Sequence, residues 1–121
     1  MKKRNTYFMY TILVILFGCT NASEDDLIDQ TELPEVVTFV EDVQPIINNN
    51  CVMCHTNPPE NGAPMPLLSY DNVKDAVLNR GLISRISSED LGFLMPFGGP
   101  RLPQNLIDTI IQWEEDGLLE E

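Results

Sequence analysis

Histidine is nearly absent from this chain of 121 residues: His55 is the only one. Basic residues are also scarce, with seven lysines and arginines against nineteen aspartates and glutamates, a formal charge of −12. A surface of that sign repels phosphate backbones and anionic headgroups, so no nucleic acid is expected as a partner. No second cluster of Cys, His or carboxylate accompanies the residues around His55, and a structural zinc site needs about four such ligands. No nucleophile stands beside a base, so the chain is not expected to be an enzyme in its own right. No stretch alternates long enough to argue for a β-sheet, and no segment repeats. Long apolar runs are missing as well. The longest, Tyr7 to Phe17, is broken only by Thr11, and as a helix it rises about 17 Å, roughly half of a bilayer core.

That run follows the basic start Met1-Lys2-Lys3-Arg4, which fits a signal h-region; a short membrane anchor is the alternative. Its end, Leu16-Phe17-Gly18-Cys19, resembles the lipobox of bacterial lipoproteins, with Phe17 where a small residue is usual. The resemblance implies a lipoprotein signal peptide over 1–18 and lipid on Cys19, which becomes the mature N-terminus. Asn21 stands where Asp marks inner-membrane retention, so an outer-membrane lipoprotein is expected, facing the periplasm or the cell surface. Ser23-Glu24-Asp25-Asp26 looks like the acidic surface-export tag of Bacteroidetes lipoproteins, and equally like a solvated tether. Loss of Lys2, Lys3 and Arg4 with the signal leaves four basic residues against nineteen acidic ones, a mature charge of −15. Protein partners are therefore expected to be basic.

Residues 19–36 are acidic and small, with too little apolar surface to offset the entropy of ordering, and predict a flexible tether. About sixteen such residues span on the order of 20–25 Å. The domain is expected over 37–121, all-α, as three to four short helices separated by long proline-rich loops. Thr38-Phe39-Val40-Glu41 has the form of a capping box, with Phe39, Val43, Ile46 and Ile47 at helical spacing behind it. Pro45 requires that this helix either bend or begin later. Tyr70 to Asn79 reads as a helix with Val73, Ala76 and Val77 on one face and Gly81 at its end. Leu82, Ile83 and Ile86 suggest a further helical turn. A last amphipathic helix carries Leu106, Ile107, Ile110, Ile111, Trp113 and Leu118, between Pro103 and Gly117. So small a domain, with this much loop, needs something besides its side chains to complete a core.

Residues 51–55 read Cys-Val-Met-Cys-His, the spacing of c-type haem attachment. Two thiols one turn apart can add to the two vinyl groups on one porphyrin edge, and the next residue sets an imidazole beneath the iron. Cys51 and Cys54 are thus candidate thioether ligands and His55 the proximal iron ligand. A disulfide between the two cysteines is the main competitor, and it leaves His55 without a purpose. A thioredoxin-like redox pair would need a strand–helix frame that the sequence lacks. Methionine is the usual sixth ligand in electron carriers. Met1 and Met9 leave with the signal, Met53 lies inside the motif, and Met65 is only ten residues after His55. Met95, in Leu94-Met95-Pro96-Phe97-Gly98-Gly99, is the remaining candidate for the distal iron ligand.

Together, Asp42-Val43-Gln44-Pro45-Ile46 before the motif, Leu68-Ser69-Tyr70-Asp71, Met95-Pro96-Phe97-Gly98-Gly99, and Ile111-Gln112-Trp113 ahead of Asp116-Gly117 resemble a monohaem class I c-type cytochrome of bacterial envelopes. Leu102-Pro103-Gln104-Asn105 departs from the Ser-Asp cap usual in such proteins. The resemblance implies a cytochrome c-like fold around one covalently bound haem (heme c), and single-electron transfer to and from redox proteins. It implies that the first and last helices cross behind the haem, with Phe39, Val43, Ile110 and Trp113 at the crossing. Leu67, Leu68, Ile83, Ile86, Leu94 and Phe97 become candidate pocket walls, and Tyr70, Arg80 and Arg85 candidate partners of a propionate. A haem-based gas or redox sensor, or a small peroxidase, is the alternative if Met95 can leave the iron. A binding module stapled by its haem is a third.

Overall fold

Thr38 enters the first helical segment in extended geometry, with φ −117° and ψ 159°. Its carbonyl accepts from both Asp42 N and Val43 N, each at 3.2 Å, so the first turn closes over five residues rather than four. This π-helical turn, Phe39–Val43, runs directly into α1, Gln44–Asn50. The structure, a computed structural model, describes residues 33–121. The expected signal peptide, Cys19 and most of the expected tether lie outside the described residues.

The wide turn alters the expected cap. Glu41 does not reach back to Thr38; Asp42 Oδ2 accepts from Thr38 N at 2.8 Å instead, and Thr38 Oγ1 is buried without a partner. An i→i+5 turn carries position 42 beneath the entering N–H, where an α-turn would carry position 41. Pro45 then falls in the first turn of α1, just after the π-helical turn.

The other helices follow the apolar spacing. Helix α2, Tyr70–Arg80, starts where Ser69 Oγ accepts from Asn72 N at 3.3 Å and stops at Gly81, whose φ of 66° is left-handed. It buries Val73, Ala76 and Val77. Helix α3 is the short Leu82–Ile86, and α4 is Gln104–Glu115, which buries Ile107, Ile110 and Trp113. Pro103 precedes α4 without offering a side-chain cap. Among the described residues there is no strand, and the architecture is helices joined by loops. No described helix is long and apolar enough to cross a membrane.

One core joins these helices. Phe39, Tyr70 and Trp113 meet with ring centroids 5.6, 5.7 and 6.2 Å apart, which packs the first helical segment on the last. Val43, Ile46, Ile47, Leu67, Ile107 and Ile110 extend the same cluster. The chain after α4 turns back at Gly117 and returns to the start of the domain. Leu119 O accepts from Phe39 N at 2.9 Å and Glu120 O from Val40 N at 3.1 Å. These are N–H groups that the first turn of a helix leaves without an internal partner. Tyr70 Oη donates to Leu118 O, and Trp113 Nε1 donates to Leu119 O, both at 2.8 Å.

Asp116 completes this closure. Its Oδ2 accepts from Val37 N at 2.7 Å and its Oδ1 from Gln112 Nε2 at 2.9 Å. The Val37 amide, and then the Gln112 amide, hold its carboxyl below the ordinary value of 3.8. A depressed pKa stabilises the fold above the unfolded-state value and loses that contribution as pH falls through the folded one. The melting temperature is therefore expected to fall below about pH 4 partly through Asp116. Asp116→Asn should melt lower at neutral pH and show a shallower acid slope; parallel Tm-against-pH curves for the two proteins would refute the latch.

Candidate haem-attachment site

Helix α1 ends in a turn that gathers the three motif residues. Cys51 is its C-terminal cap, with its N–H on Ile47 O at 2.8 Å. The Cys51 carbonyl then accepts from Cys54 N at 3.2 Å and from His55 N at 3.0 Å. Residues three and four apart on a turn share a face, so Cys51, Cys54 and His55 are neighbours in space as well as sequence. Met53 is left pointing away and is 81% exposed.

Both cysteines carry free thiols. Cys51 packs against the hydrophobic core, and burial pushes its thiol up to about 11, so it stays protonated at neutral pH. Cys54 is half-buried, and the Asn61 side-chain amide stands 3.6 Å from its Sγ.

The loop after the motif folds back on it. Glu60 N donates to Cys54 O and Leu67 N to His55 O, both at 2.8 Å. Between them, Met65 O lies 2.7 Å from His55 Nδ1. A carbonyl can only accept, so Nδ1 carries a proton, and in the neutral ring the lone pair is on Nε2. A ligating histidine is commonly fixed in this way by a hydrogen bond on its other nitrogen. The main chain at Met65 therefore lies behind the imidazole, on the side away from Nε2.

Met95 reaches the same core from the second long loop, which is held in place rather than loose. Phe93 N and Leu94 N donate to Asp90 O at 2.9 and 2.7 Å, Met95 N donates to Arg85 O at 3.1 Å, and Gly99 N donates to Pro96 O at 3.2 Å. Leu94 is buried, and Met95 is half-buried against the core, as is Met65.

The candidate pocket walls divide. Leu67, Ile86 and Leu94 are buried and Ile83 is half-buried, whereas Leu68 and Phe97 are exposed, Phe97 by 75%. The candidate propionate partners also divide. Tyr70 is engaged by Leu118 O and by Lys74 Nζ at 2.9 Å, and Arg80 by Asp75 at 2.7 Å. Both are explained by contacts within the protein. Arg85 stands over the Phe93 ring, 4.5 Å from its centroid. The Met65 carbonyl and the Arg85–Phe93 stack escaped the sequence reading; a main-chain acceptor has no residue signature, and the stack is a tertiary contact.

Among the described residues, no group of three or more His, Cys, Asp or Glu is arranged to hold a metal ion. One imidazole and one thioether do not satisfy a bare ion, but they do suit an iron whose other four positions come from a macrocycle. The donor set fits a haem. Two surface clefts lie elsewhere, one lined by Leu33, Ile46 and Leu106 and the other by Thr38, Glu41 and Glu121. Comparison with protein-family models, with curated proteins and with solved structures finds no match to this chain.

Proposed function

We propose that this protein is a monohaem c-type cytochrome that passes single electrons in a bacterial cell envelope. The observation that carries the reading is the hydrogen bond from His55 Nδ1, at the end of the Cys51–His55 turn, to Met65 O of the loop that follows. In the neutral ring it leaves the lone pair on Nε2, in an imidazole held beside two free thiols.

In this reading Cys51 and Cys54 would hold the haem through thioethers, and His55 and Met95 would be the residues that bind its iron. Met65 is the poorer candidate because its main chain lies behind the imidazole, on the side away from Nε2. The haem supplies an Fe(III)/Fe(II) couple, and the protein makes and breaks no bond in a substrate. The residues of this chain orient the imidazole, hold the thioether sulfur and exclude water with Leu67, Ile86 and Leu94. A soft thioether favours ferrous iron and raises the potential, which suits an electron carrier. Exposed Leu68 and Phe97 are surface that a planar apolar group would cover. The cytochrome c-like fold of 37–121, lipid on Cys19, an outer-membrane location and basic redox partners belong to the same proposal.

The test is chemical. The full chain, produced by a host that exports it and attaches haem, is expected to stay red after extraction with acidic acetone. It should show a low-spin spectrum with a weak sulfur-to-iron band when oxidised. The variant with serine at both Cys51 and Cys54 should release all colour into the solvent. If the unaltered chain does the same, the thioether assignment is wrong.

A further inference from the structure

Arg85 and Lys74 are the two described cations that stand over an aromatic ring rather than in an ion pair, Lys74 over Tyr70 on its own helix and Arg85 over a ring of another segment. The chain carries nineteen acidic residues, yet among the described residues the two ion pairs within 4.0 Å belong to Arg80 with Asp75 and to Arg101 with Glu89. Arg85 instead sets its guanidinium over the ring of Phe93, two residues before Met95. The main chain of Arg85 meets the same loop, because its carbonyl accepts from Met95 N at 3.1 Å. One residue of α3 therefore grips the Met95 loop twice, by its side chain at 93 and by its backbone at 95.

We propose that Arg85 is a positioning residue that sets how readily Met95 leaves its post, acting through its stack on Phe93. This rests on the reading of Met95 as an iron ligand and goes beyond it, since it names what holds that ligand in place.

The rest of the loop explains why the grip matters. From Leu91 to Pro100 there is no charged residue, and Leu91 and Phe97 are each 75% exposed. Leu94 is the only residue of that stretch buried in the core. The turn at Asp90 ties 92, 93 and 94 to residue 90, so those bonds move with the loop and do not fasten it to α3. Fastening comes from Leu94, from the Met95 N–H and from the stack. Outward movement of the Met95 main chain has to break the last two together. A cation over an aromatic face at a partly exposed site is worth about 0.5–1 kcal/mol, which corresponds to about a two- to five-fold change in an opening equilibrium.

The experiment uses the full holoprotein and four single variants: Arg85→Gln, Arg85→Lys, Phe93→Leu and Phe93→Tyr. Imidazole binding to the ferric protein, followed by loss of the sulfur-to-iron band, reads how often Met95 is away. Arg85→Gln and Phe93→Leu are each expected to raise the apparent imidazole affinity by about two- to five-fold. Arg85→Lys keeps a cation and Phe93→Tyr keeps a ring face, so both should stay close to the parent. The double variant Arg85→Gln/Phe93→Leu should bind no better than either single one, because one contact is lost only once.

Exchange of the Met95 amide hydrogen with solvent provides a readout that does not use the iron. It should quicken by the same factor in the same two variants, since the Arg85 carbonyl is present in all of them. An effect of Arg85→Gln without one of Phe93→Leu would assign Arg85 to a propionate and overturn the proposal. Additive effects, or unchanged ligand binding and exchange in a protein with the Met-ligated spectrum, would overturn it too. If the parent chain proves to hold no covalent haem, the function assigned above fails, and amide exchange alone decides the Arg85 clamp.

Discussion

Met95→Ala is expected to leave haem bound through Cys51 and Cys54 while abolishing the sulfur-to-iron band. The reduction potential should fall by on the order of 0.1 V or more, within the roughly 0.8 V that axial ligands command. The direction follows from the electronics of the thioether, which stabilises ferrous iron; water or an open position does so less. The secondary structure should be kept, because Met95 sits in a loop whose own bonds run through the backbone of Asp90, Leu94 and Pro96. The ferrous variant should also bind carbon monoxide readily where the parent binds it poorly. A spectroelectrochemical titration and a carbon monoxide difference spectrum check both points. An unaltered charge-transfer band would transfer the assignment to Met65, the other methionine half-buried against the core.

Trp113→Ala should come close to unfolding the domain. The indole has no exposed surface, lies 5.7 Å from Phe39 and 6.2 Å from Tyr70 by ring centroid, and donates to Leu119 O. Truncating such a residue costs about 3–5 kcal/mol through lost burial and the cavity left behind. Domains of this size have about 5–15 kcal/mol in all. Trp113→Phe keeps a ring but removes one of the two donors to Leu119 O, leaving Phe39 N, a loss of about 1 kcal/mol. Urea titrations of the three proteins should therefore order them as parent, Phe, Ala, with a wide last gap. A change under about 1 kcal/mol for Trp113→Ala would mean that the indole is not the centre of the core.

Much of the frame can be read from residue order because it depends on local rules. Val73, Ala76 and Val77 fall on one face at helical spacing, and Gly81 supplies the left-handed end that a side chain resists. The Cys51–His55 turn is equally local, since all its members lie within one helical turn. What escapes the sequence is whatever depends on backbone partners brought in from elsewhere. The π-helical turn is one case: Thr38 and Glu41 spell an ordinary capping box, and only the carbonyl of Thr38 accepting from Val43 as well as Asp42 shows the extra residue. The acceptor for His55 is another. Any residue at position 65 has a carbonyl, so the side chain there gives no hint. Arg85 and Phe93 belong to separate elements and meet only when α3 and the second loop are packed together. Leu68 and Phe97, candidate pocket walls by the resemblance, are both exposed.

The carbonyls of Leu118, Leu119 and Glu120 close the first helical segment and two rings of the core at once. A ribosome makes Phe39 and Val40 about eighty residues before it makes those acceptors, a wait of about 4–16 s at ordinary rates of synthesis. During that wait the amides of the first turn, and in its later part the phenol of Tyr70, have no partner from this segment. The nascent domain is thus held short of its native state until nearly all of it exists, and folding is a late, whole-chain event. A chain of this kind stays threadable, and the translocation that the proposed envelope location demands requires that property.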